Sequence, residues 1–287
     1  MVPTARMALT PTLIRWRLVD QFLAGYGLIV AAVAATRWQQ PGMVPLMLAH
    51  LAIPLLTWLV ARAPASTTGR FLRASYPLIL LLGLYTSIDV LNAFGAVTTH
   101  DVALQQLEAS LFGGQPSRDW WRASPSAFWS TLLHAVYLSY YVLVPIPAIV
   151  FLVTRRMAAL EQYLNGVVAT YLVCYVGYLL FPVAGPYYEF ARPTGAFVAN
   201  GPARLVYAIL ARASAFGAAF PSSHVAATVA ATVGAWYGSR RLAMILAVPT
   251  VLLAVGVVYC QMHYAVDSVA GVVLGLAVPL LVMRRAS

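Results

Sequence analysis

Long apolar stretches recur along this chain and are separated by shorter, more polar segments. A helix of about 20 apolar residues is long enough to cross the hydrocarbon core of a bilayer. Backbone polar groups in lipid must be satisfied inside their own segment, and these stretches are too long for the strands of a barrel. The pattern therefore predicts an all-α polytopic membrane protein with about eight spans, at residues 21–36, 43–61, 75–97, 126–153, 161–182, 222–238, 242–260 and 264–283.

Two parts of the pattern have a further interpretation. The first span follows basic residues and also has the features of a signal peptide ending near Ala35, but we expect it to be an uncleaved anchor. The segment 98–125 is more polar than its neighbours. It predicts a helix on the membrane surface over 101–112, which the glycines and the proline that follow should break.

Composition and charge agree with a membrane protein. Hydrophobic residues make up 61% of the chain and charged residues 9%, whereas a soluble domain has about 25% charged residues. The net charge is +10, and all eighteen basic residues are arginines. In a soluble protein this charge would indicate nucleic-acid binding. Here the arginines cluster near the ends of the apolar stretches, as membrane topology requires, so no nucleic-acid partner is expected.

The positions of the arginines predict the orientation of the chain. The short connections between spans carry Arg155-Arg156 and Arg240-Arg241, and cytoplasmic loops are the ones enriched in arginine. We therefore expect both termini in the cytoplasm, at a bacterial cytoplasmic membrane. The long connection 183–221 and the chemistry associated with it should then lie on the extracytoplasmic side.

Two polar residues near the start of the last span form one part of a candidate site. His263 and Asp267 are four residues apart, and on a helix this spacing places them on one face. The carboxylate can then accept a hydrogen bond from the ring and leave the other ring nitrogen free as a nucleophile. The alternative is a polar pair that only joins helices, but ionisable residues within spans are costly and usually functional.

A second histidine opens the sixth span, in Pro221-Ser222-Ser223-His224. Serines cap helices well, and the free N–H groups at a helix start favour an anion. A phosphate bound there would lie beside His224, which could then act as a general acid. The tetrapeptide alone is also typical of an ordinary cap. The predicted topology returns His263 to the same face, and this favours a catalytic site.

Further polar residues near this face are candidates for binding a phosphate or head group. Guanidinium groups offer the forked hydrogen bonds that phosphate oxygens accept. Aromatic residues there either line a pocket or belong to the interfacial belt, and polar residues inside spans either line the pocket or hydrogen-bond between helices. The candidates are Arg192 and Arg212 among the cations, Tyr187 and Tyr188 among the aromatic residues, and Asp89 and His134 inside the third and fourth spans.

Together these motifs resemble the type 2 phosphatidic acid phosphatase superfamily, whose members share a six-helix membrane core and a phosphohistidine mechanism. The usual signature has Lys seven residues before Arg-Pro, then Pro-Ser-Gly-His, and then Ser-Arg followed by a His and an Asp. The positions that match are Arg192-Pro193, Pro221-Ser222-x-His224, His263 and Asp267.

The departures from the signature indicate one branch of the superfamily. Gly185 stands at the Lys position, Ser223 replaces the glycine, and Gly256 and Val257 replace Ser-Arg. Inositol phosphorylceramide synthases and related sphingolipid synthases also lack that Lys and that Arg, and they move a phospho-head group between lipids. The motifs that are similar to theirs are Gly185-Pro186-Tyr187-Tyr188-Glu189, Phe220-Pro221-Ser222-x-His224 and Tyr259-x-x-x-His263-Tyr264-x-x-Asp267.

The resemblance implies a role for three residues: nucleophile for His263, orienting carboxylate for Asp267, and acid for the leaving group in His224. It also implies chemistry without a metal or a cofactor. It divides the chain into an N-terminal pair of spans, residues 1–70, and a six-helix catalytic core, residues 71–287.

The sequence therefore predicts a membrane enzyme that transfers a phosphoryl or phospho-head group of a lipid through a phosphohistidine. The donor is a lipid phosphate or a phospholipid. An alcohol acceptor would make the enzyme a synthase, which the branch motifs favour, and water would make it a phosphatase. A non-catalytic lipid carrier or scramblase is the alternative from another class, but it would not need a histidine and a carboxylate together at one face.

Overall fold

The computed structural model describes residues 16–64, 66–92 and 95–283, and this part of the chain is built from helices. The predicted all-α polytopic class is confirmed. In chain order the helices are α1 (Leu18–Thr36), α2 (Met43–Ala61), α3 (Thr67–Leu91), α4 (Asp101–Phe112), α5 (Pro116–Ala123), α6 (Ala127–Leu143), α7 (Pro145–Val153), α8 (Met157–Leu180), α9 (Pro186–Glu189), α10 (Gly201–Ala213), α11 (Ser223–Gly238), α12 (Arg240–Tyr259) and α13 (Ala265–Met283).

Seven helical segments of the described chain are long and apolar enough to cross a membrane: α1, α2, α3, α6 with α7, α8, α12 and α13. The remaining predicted span corresponds to α11, which has 16 residues. A helix of that length extends over about 24 Å, short of the roughly 30 Å hydrocarbon core. Helices therefore occupy all eight predicted positions, and α11 is the short one.

The short helix α11 lies inside the bundle, against α8, α12 and α13. Its alanines and glycines let the neighbouring backbones approach closely, as small residues do between membrane helices. At Gly275 of α13, an added Cβ would lie 2.5 Å from the carbonyl oxygen of Ala226 in α11. These small residues therefore allow α11 and α13 to pack closely.

Some helices begin or end at residues other than those predicted, because capping residues and prolines set their boundaries. The helix α3 begins at Thr67, earlier than the apolar pattern predicted, because the Ser66 hydroxyl accepts a hydrogen bond from the Gly69 amide at 3.1 Å. The fourth span is two consecutive helices, since Pro145 has no N–H to continue the first one. After the predicted surface helix α4, Pro116 does not end helical structure but begins α5, because proline suits the first position of a helix.

Some predictions concern residues outside the described ranges. Of the basic residues before the first span, Arg6 and Arg15 lie outside them. The membrane orientation, the uncleaved anchor and the division near residue 70 stay predictions. Below, the end of the bundle that carries His224 and His263 is called the histidine face, and the end that carries Arg17 and Arg73 is called the opposite face.

Candidate active site

Two histidines from distant parts of the chain meet at the histidine face. His224 is the second residue of α11, and His263 lies in the turn between α12 and α13. Their ring centroids are 5.8 Å apart, with an angle of 57° between the ring planes. The structure thus brings the two imidazoles into one site.

Hydrogen bonding at Nδ1 orients the ring of His263. Nδ1 lies 3.0 Å from the carbonyl oxygen of Ala219 and 3.4 Å from Oδ2 of Asp267. Both neighbours are acceptors, so Nδ1 carries the hydrogen and Nε2 keeps its lone pair. The shared helix face predicted for His263 and Asp267 is wrong in detail: α13 begins at Ala265, and His263 reaches the carboxylate from the preceding turn.

Asp267 connects the two histidine motifs through its backbone and its side chain. Its carbonyl oxygen accepts a hydrogen bond from the Ser222 amide at 3.1 Å, two residues before His224. Its Oδ2 also accepts from the Tyr264 amide at 2.8 Å, which fixes the carboxylate at the start of α13. The carboxylate is fully buried. It therefore holds the His263 ring in a rigid position relative to α11.

His224 is held by the start of α11 and by two tyrosines of α6. The Ser222 hydroxyl caps the helix by accepting from the Val225 amide at 3.4 Å. Nε2 of His224 lies 3.1 Å from the Tyr137 hydroxyl. The Tyr137 and Tyr140 rings lie against the imidazole, with centroids 4.9 and 4.5 Å away. Nothing in the sequence distinguishes these two tyrosines from other aromatic residues of the spans.

A cavity of about 420 Å³ extends from His224 between α3, α6, α8 and α10. Its walls are apolar and aromatic, and Ser223 and His224 are the polar residues of the motif at its end. Neither His263 nor Asp267 belongs to the walls. Six of the lining residues are tyrosines, namely Tyr85, Tyr137, Tyr140, Tyr141, Tyr171 and Tyr175.

The surface helix α4 supports the turn that carries His263. The two oxygens of Asp101 accept hydrogen bonds from the amides of Ala184 and Gly185, at 2.8 and 2.7 Å. The Tyr264 hydroxyl, beside His263, also donates to Asp101, at 3.0 Å. Asp101 is only 2% exposed. Asp101 therefore joins the segment that follows α8 to the turn that carries His263, and loss of this buried carboxylate would leave three donors without their partner.

The segment fixed by Asp101 also positions the acceptor of His263. The Ala219 amide donates to the carbonyl oxygen of Val183 at 3.0 Å, and the Val183 amide donates to the Gly217 carbonyl at 3.1 Å. Val183 directly precedes the amides held by Asp101. The Ala219 carbonyl that accepts from His263 is therefore held through this bridge.

A second carboxylate of α4 reaches the start of α13. Glu108 is fully buried, and one of its oxygens accepts a hydrogen bond from the Ala265 amide. Its other oxygen has no hydrogen-bond partner among the described residues. The pKa of Glu108 is raised to about 7, mainly by burial; the hydrogen bond from Ala265 opposes this shift and the nearby Asp267 adds to it.

Glu108 should make the stability of the fold depend on pH. Its pKa in the folded state lies above its ordinary value of 4.5, so its contribution to stability is complete below pH 4.5 and is lost as the pH rises to 7. We expect Glu108→Gln to gain stability relative to the unchanged protein between pH 5 and pH 8, by about 1–3 kcal/mol. Apparent Tm values in detergent measure this. The exposed Glu161→Gln is the control, and an equal pH response in both variants would contradict the assignment.

The predicted phosphate ligands of the long connection do not contact the histidines in the described chain. Arg192 is exposed, and its guanidinium lies over the Tyr187 ring, 4.3 Å from the centroid. Tyr187 is buried and stacks on Tyr207, with centroids 6.2 Å apart. The Tyr188 hydroxyl donates to Ser214 at 2.8 Å. Their predicted roles in phosphate binding stay predictions.

Of the other candidate residues, some lie in or near the cavity wall and others do not. Ser223 lines it, and Arg212 is exposed on α10, whose neighbouring residues also line it. Asp89 accepts a hydrogen bond from the Phe216 amide at 2.7 Å, so it anchors the loop before α11. His134 is buried, and its Nδ1 lies 2.7 Å from the Ser130 carbonyl oxygen. Asp89 and His134 are not among the cavity walls.

The backbone at Gly185 explains one departure from the superfamily signature. Gly185 has φ +91° and ψ 169°, a conformation accessible essentially to glycine alone. An added Cβ would also lie 2.7 Å from the Cβ of Ala219, the residue whose carbonyl accepts from His263. A lysine at this position would displace that carbonyl. The cation expected from the signature is therefore incompatible with this turn.

Gln261 is a site residue that the sequence did not indicate. It has φ +59° and is 1% exposed, two residues before His263. Its Oε1 accepts hydrogen bonds from Trp121 and Arg122 of α5, at 2.9 and 3.1 Å. Its Nε2 donates to the Ala191 carbonyl at 3.1 Å. Gln261 thus connects α5 to the segment that carries Arg192.

Across residues 16–64, 66–92 and 95–283, no group of three or more His, Cys, Asp or Glu side chains could hold a metal ion. The expectation of chemistry without a metal or cofactor stays a prediction.

Comparison with known proteins places the chain in a family. Neither a curated protein nor a solved structure matches it. A family model described as the PAP2 superfamily matches residues 102–281, a range that includes His224, His263 and Asp267. Because this match spans more than half of the chain, the protein belongs to the PAP2 superfamily, whose members are typically phosphatases or phosphotransferases.

Proposed function

We propose that the protein transfers the phosphoryl or phospho-head group of a lipid through a phosphohistidine. Nε2 of His263 attacks phosphorus, and the bond from phosphorus to the leaving oxygen breaks as the nitrogen–phosphorus bond forms. His224 donates a proton to that oxygen. In the second step His224 takes the proton of the acceptor hydroxyl, whose oxygen binds phosphorus as the nitrogen–phosphorus bond breaks.

The arrangement around His263 is the observation that carries this proposal. Two acceptors at Nδ1 leave Nε2 as the free nucleophilic nitrogen, and Asp267 can stabilise the positive charge that the ring gains during attack. The His224 ring is 5.8 Å away between centroids. The two imidazoles are thus near enough to act on one phosphoester, in which phosphorus would lie about 3–3.5 Å from the attacking nitrogen.

The cavity beside His224 supports a lipid as the substrate. Its apolar and aromatic walls suit a hydrocarbon chain, and a volume of about 420 Å³ is in the range of small-molecule sites. Ser223 and His224 are part of its lining. A lipid whose chain occupies it would have its phosphoester beside His224, whose ring centroid is 5.8 Å from that of His263.

The scarcity of cations supports a phosphodiester donor and therefore head-group transfer. The usual lysine position is Gly185, and Arg192 lies over the Tyr187 ring. A phosphodiester carries one negative charge, whereas a phosphate monoester carries about 1.5 to 2 at neutral pH. The site thus suits the substrate of an enzyme similar to inositol phosphorylceramide synthase. Hydrolysis of a lipid phosphate, with water as acceptor, is the alternative.

Product analysis distinguishes these two activities. We would incubate detergent-purified protein with phosphorus-radiolabelled phosphatidylinositol, with and without ceramide as the lipid alcohol. A parallel reaction would contain labelled phosphatidic acid. We expect a new labelled phospholipid that depends on the added alcohol, because the phosphohistidine needs an acceptor.

Each other outcome contradicts part of the proposal. Release of inorganic phosphate alone, from phosphatidic acid, would contradict head-group transfer and favour the phosphatase. Lipid movement across vesicles without any product, and unchanged after His263→Ala, would favour a carrier or scramblase.

A further inference from the structure

A second cavity lies at the opposite face and is lined by three arginines. It has a volume of about 230 Å³, and Arg17, Arg70, Arg73 and Glu161 are its charged walls. They come from the starts of three helices: Arg17 precedes α1, Arg70 and Arg73 lie in the first turns of α3, and Glu161 lies near the start of α8. A cavity of this volume is smaller than the 300–1,000 Å³ typical of sites for whole drug-sized ligands, so it suits a head group.

The charges around this cavity favour an anion. Arg17 forms an ion pair with Asp20, with 2.8 Å between Nη2 and Oδ1, and donates to the Arg73 carbonyl at 2.9 Å. It is a fixed part of the wall, with a side chain 12% exposed. The three arginines of the wall outnumber its one carboxylate, Glu161, and the buried Asp20 that pairs with Arg17; the helix starts add partial positive charge.

Arg73 is the wall residue best placed to bind a ligand. It is half-buried, and its guanidinium forms no hydrogen bond or ion pair with the residues that the structure describes. Its backbone carbonyl is held by Arg17, so its position along α3 is fixed. A planar guanidinium of this kind binds phosphate oxygens with two parallel hydrogen bonds.

We propose that this cavity binds the phosphate of an anionic lipid head group at the face opposite to the histidines. Basic pockets between membrane helices bind such head groups. The site is separate from the reaction: along α3, Arg73 and Asp89 are about 24 Å apart at 1.5 Å per residue, and Asp89 anchors the loop before α11. The proposal does not rest on the proposed function.

Binding can be measured through the lipid's effect on apparent Tm, because a ligand that binds only the folded protein stabilises it. The probe is phosphatidylglycerol added to micelles of a neutral detergent, with phosphatidylcholine as the lipid of no net charge. All variants carry His263→Ala so that no lipid is consumed. We expect phosphatidylglycerol to raise the Tm more than phosphatidylcholine does.

Two variants with opposite expected effects on lipid binding test whether the lipid binds in this cavity. Arg73→Gln should need about tenfold more phosphatidylglycerol for the same rise, because a charge-assisted hydrogen bond is lost. Glu161→Gln should need about threefold less, because a repelling carboxylate is removed. Arg241→Gln removes an exposed arginine of α12, outside the cavity, and should respond like the parent protein that carries only His263→Ala.

A titration with inorganic phosphate, in lipid-free neutral detergent, shows whether the cavity binds free phosphate as well as a lipid head group. A rise in Tm that depends on Arg73 would show that the cavity also takes free phosphate, and no rise would restrict it to the lipid. Equal responses in Arg73→Gln, Glu161→Gln and Arg241→Gln would overturn the proposal. Glu161→Gln keeps the test valid if Arg73→Gln fails to fold.

Discussion

Replacing His263 with alanine is expected to lower kcat on the order of 10⁴-fold or more, as removal of a covalent nucleophile does. The reason is the tautomer: Nδ1 faces the Ala219 carbonyl and Asp267, so Nε2 is the nitrogen available to form the bond to phosphorus. Product formation should fall to background. The acid-labile radiolabel that a labelled donor leaves on the unchanged protein, as a phosphohistidine, should also be absent from His263→Ala.

A buried histidine elsewhere controls for damage to the fold. His50 lies in α2, is 4% exposed, and its Nδ1 contacts only the Leu46 carbonyl, at 2.9 Å. The variant His50→Ala removes a buried imidazole of the membrane bundle and should keep both activity and radiolabel. Retained labelling in His263→Ala would contradict the assignment of the nucleophile, whatever the loss of turnover.

Local motifs allowed the prediction of most helices and of the two histidines that the structure brings together. The apolar pattern locates a helix because one segment alone must satisfy its backbone in lipid. Asp267 could be assigned to His263 because four residues separate them in the sequence. The pairing of His263 with His224 followed from counting spans, since an even number of crossings returns the chain to the same face.

The supporting residues could not be predicted because their contacts join distant segments. Asp101 and Tyr264 are 163 positions apart in the chain, and Tyr137 and His224 are 87 apart. In the sequence, Asp101 is one charge of a surface helix and Tyr137 is one of many tyrosines. Only the folded bundle shows that the first holds the turn before α13 and that the second contacts a ring nitrogen.

The departure at Gly185 has the same physical origin. A missing lysine can be seen in the sequence, but its reason is a backbone conformation with φ +91° and the close approach of Ala219. This turn gives His263 its carbonyl acceptor and at the same time excludes a side chain at the usual phosphate-binding position. The orientation of the proposed nucleophile and the proposed preference for a singly charged phosphodiester would thus have one structural cause.

Replacing His224 with alanine should lower the rate by about 10²–10⁴-fold when the leaving group is an ordinary alcohol. An alkoxide is a poor leaving group, and His224 is the imidazole whose ring lies 5.8 Å from that of His263. With a nitrophenyl ester of the same phospho-head group, the leaving oxygen needs no proton. We therefore expect the first step, measured as a single-turnover burst of nitrophenol, to be reduced about tenfold or less in the variant.

The comparison of the two esters distinguishes an acid from a residue that only shapes the site. Tyr137→Phe is the matched control, because it removes the hydroxyl 3.1 Å from Nε2 of His224 and keeps the ring against the imidazole. It should affect both esters equally and weakly. In His224→Ala the phosphohistidine formed from the nitrophenyl ester should also persist, since the base that activates the acceptor is gone. Equal losses on both esters, without accumulation of radiolabel, would show that His224 does not transfer the proton.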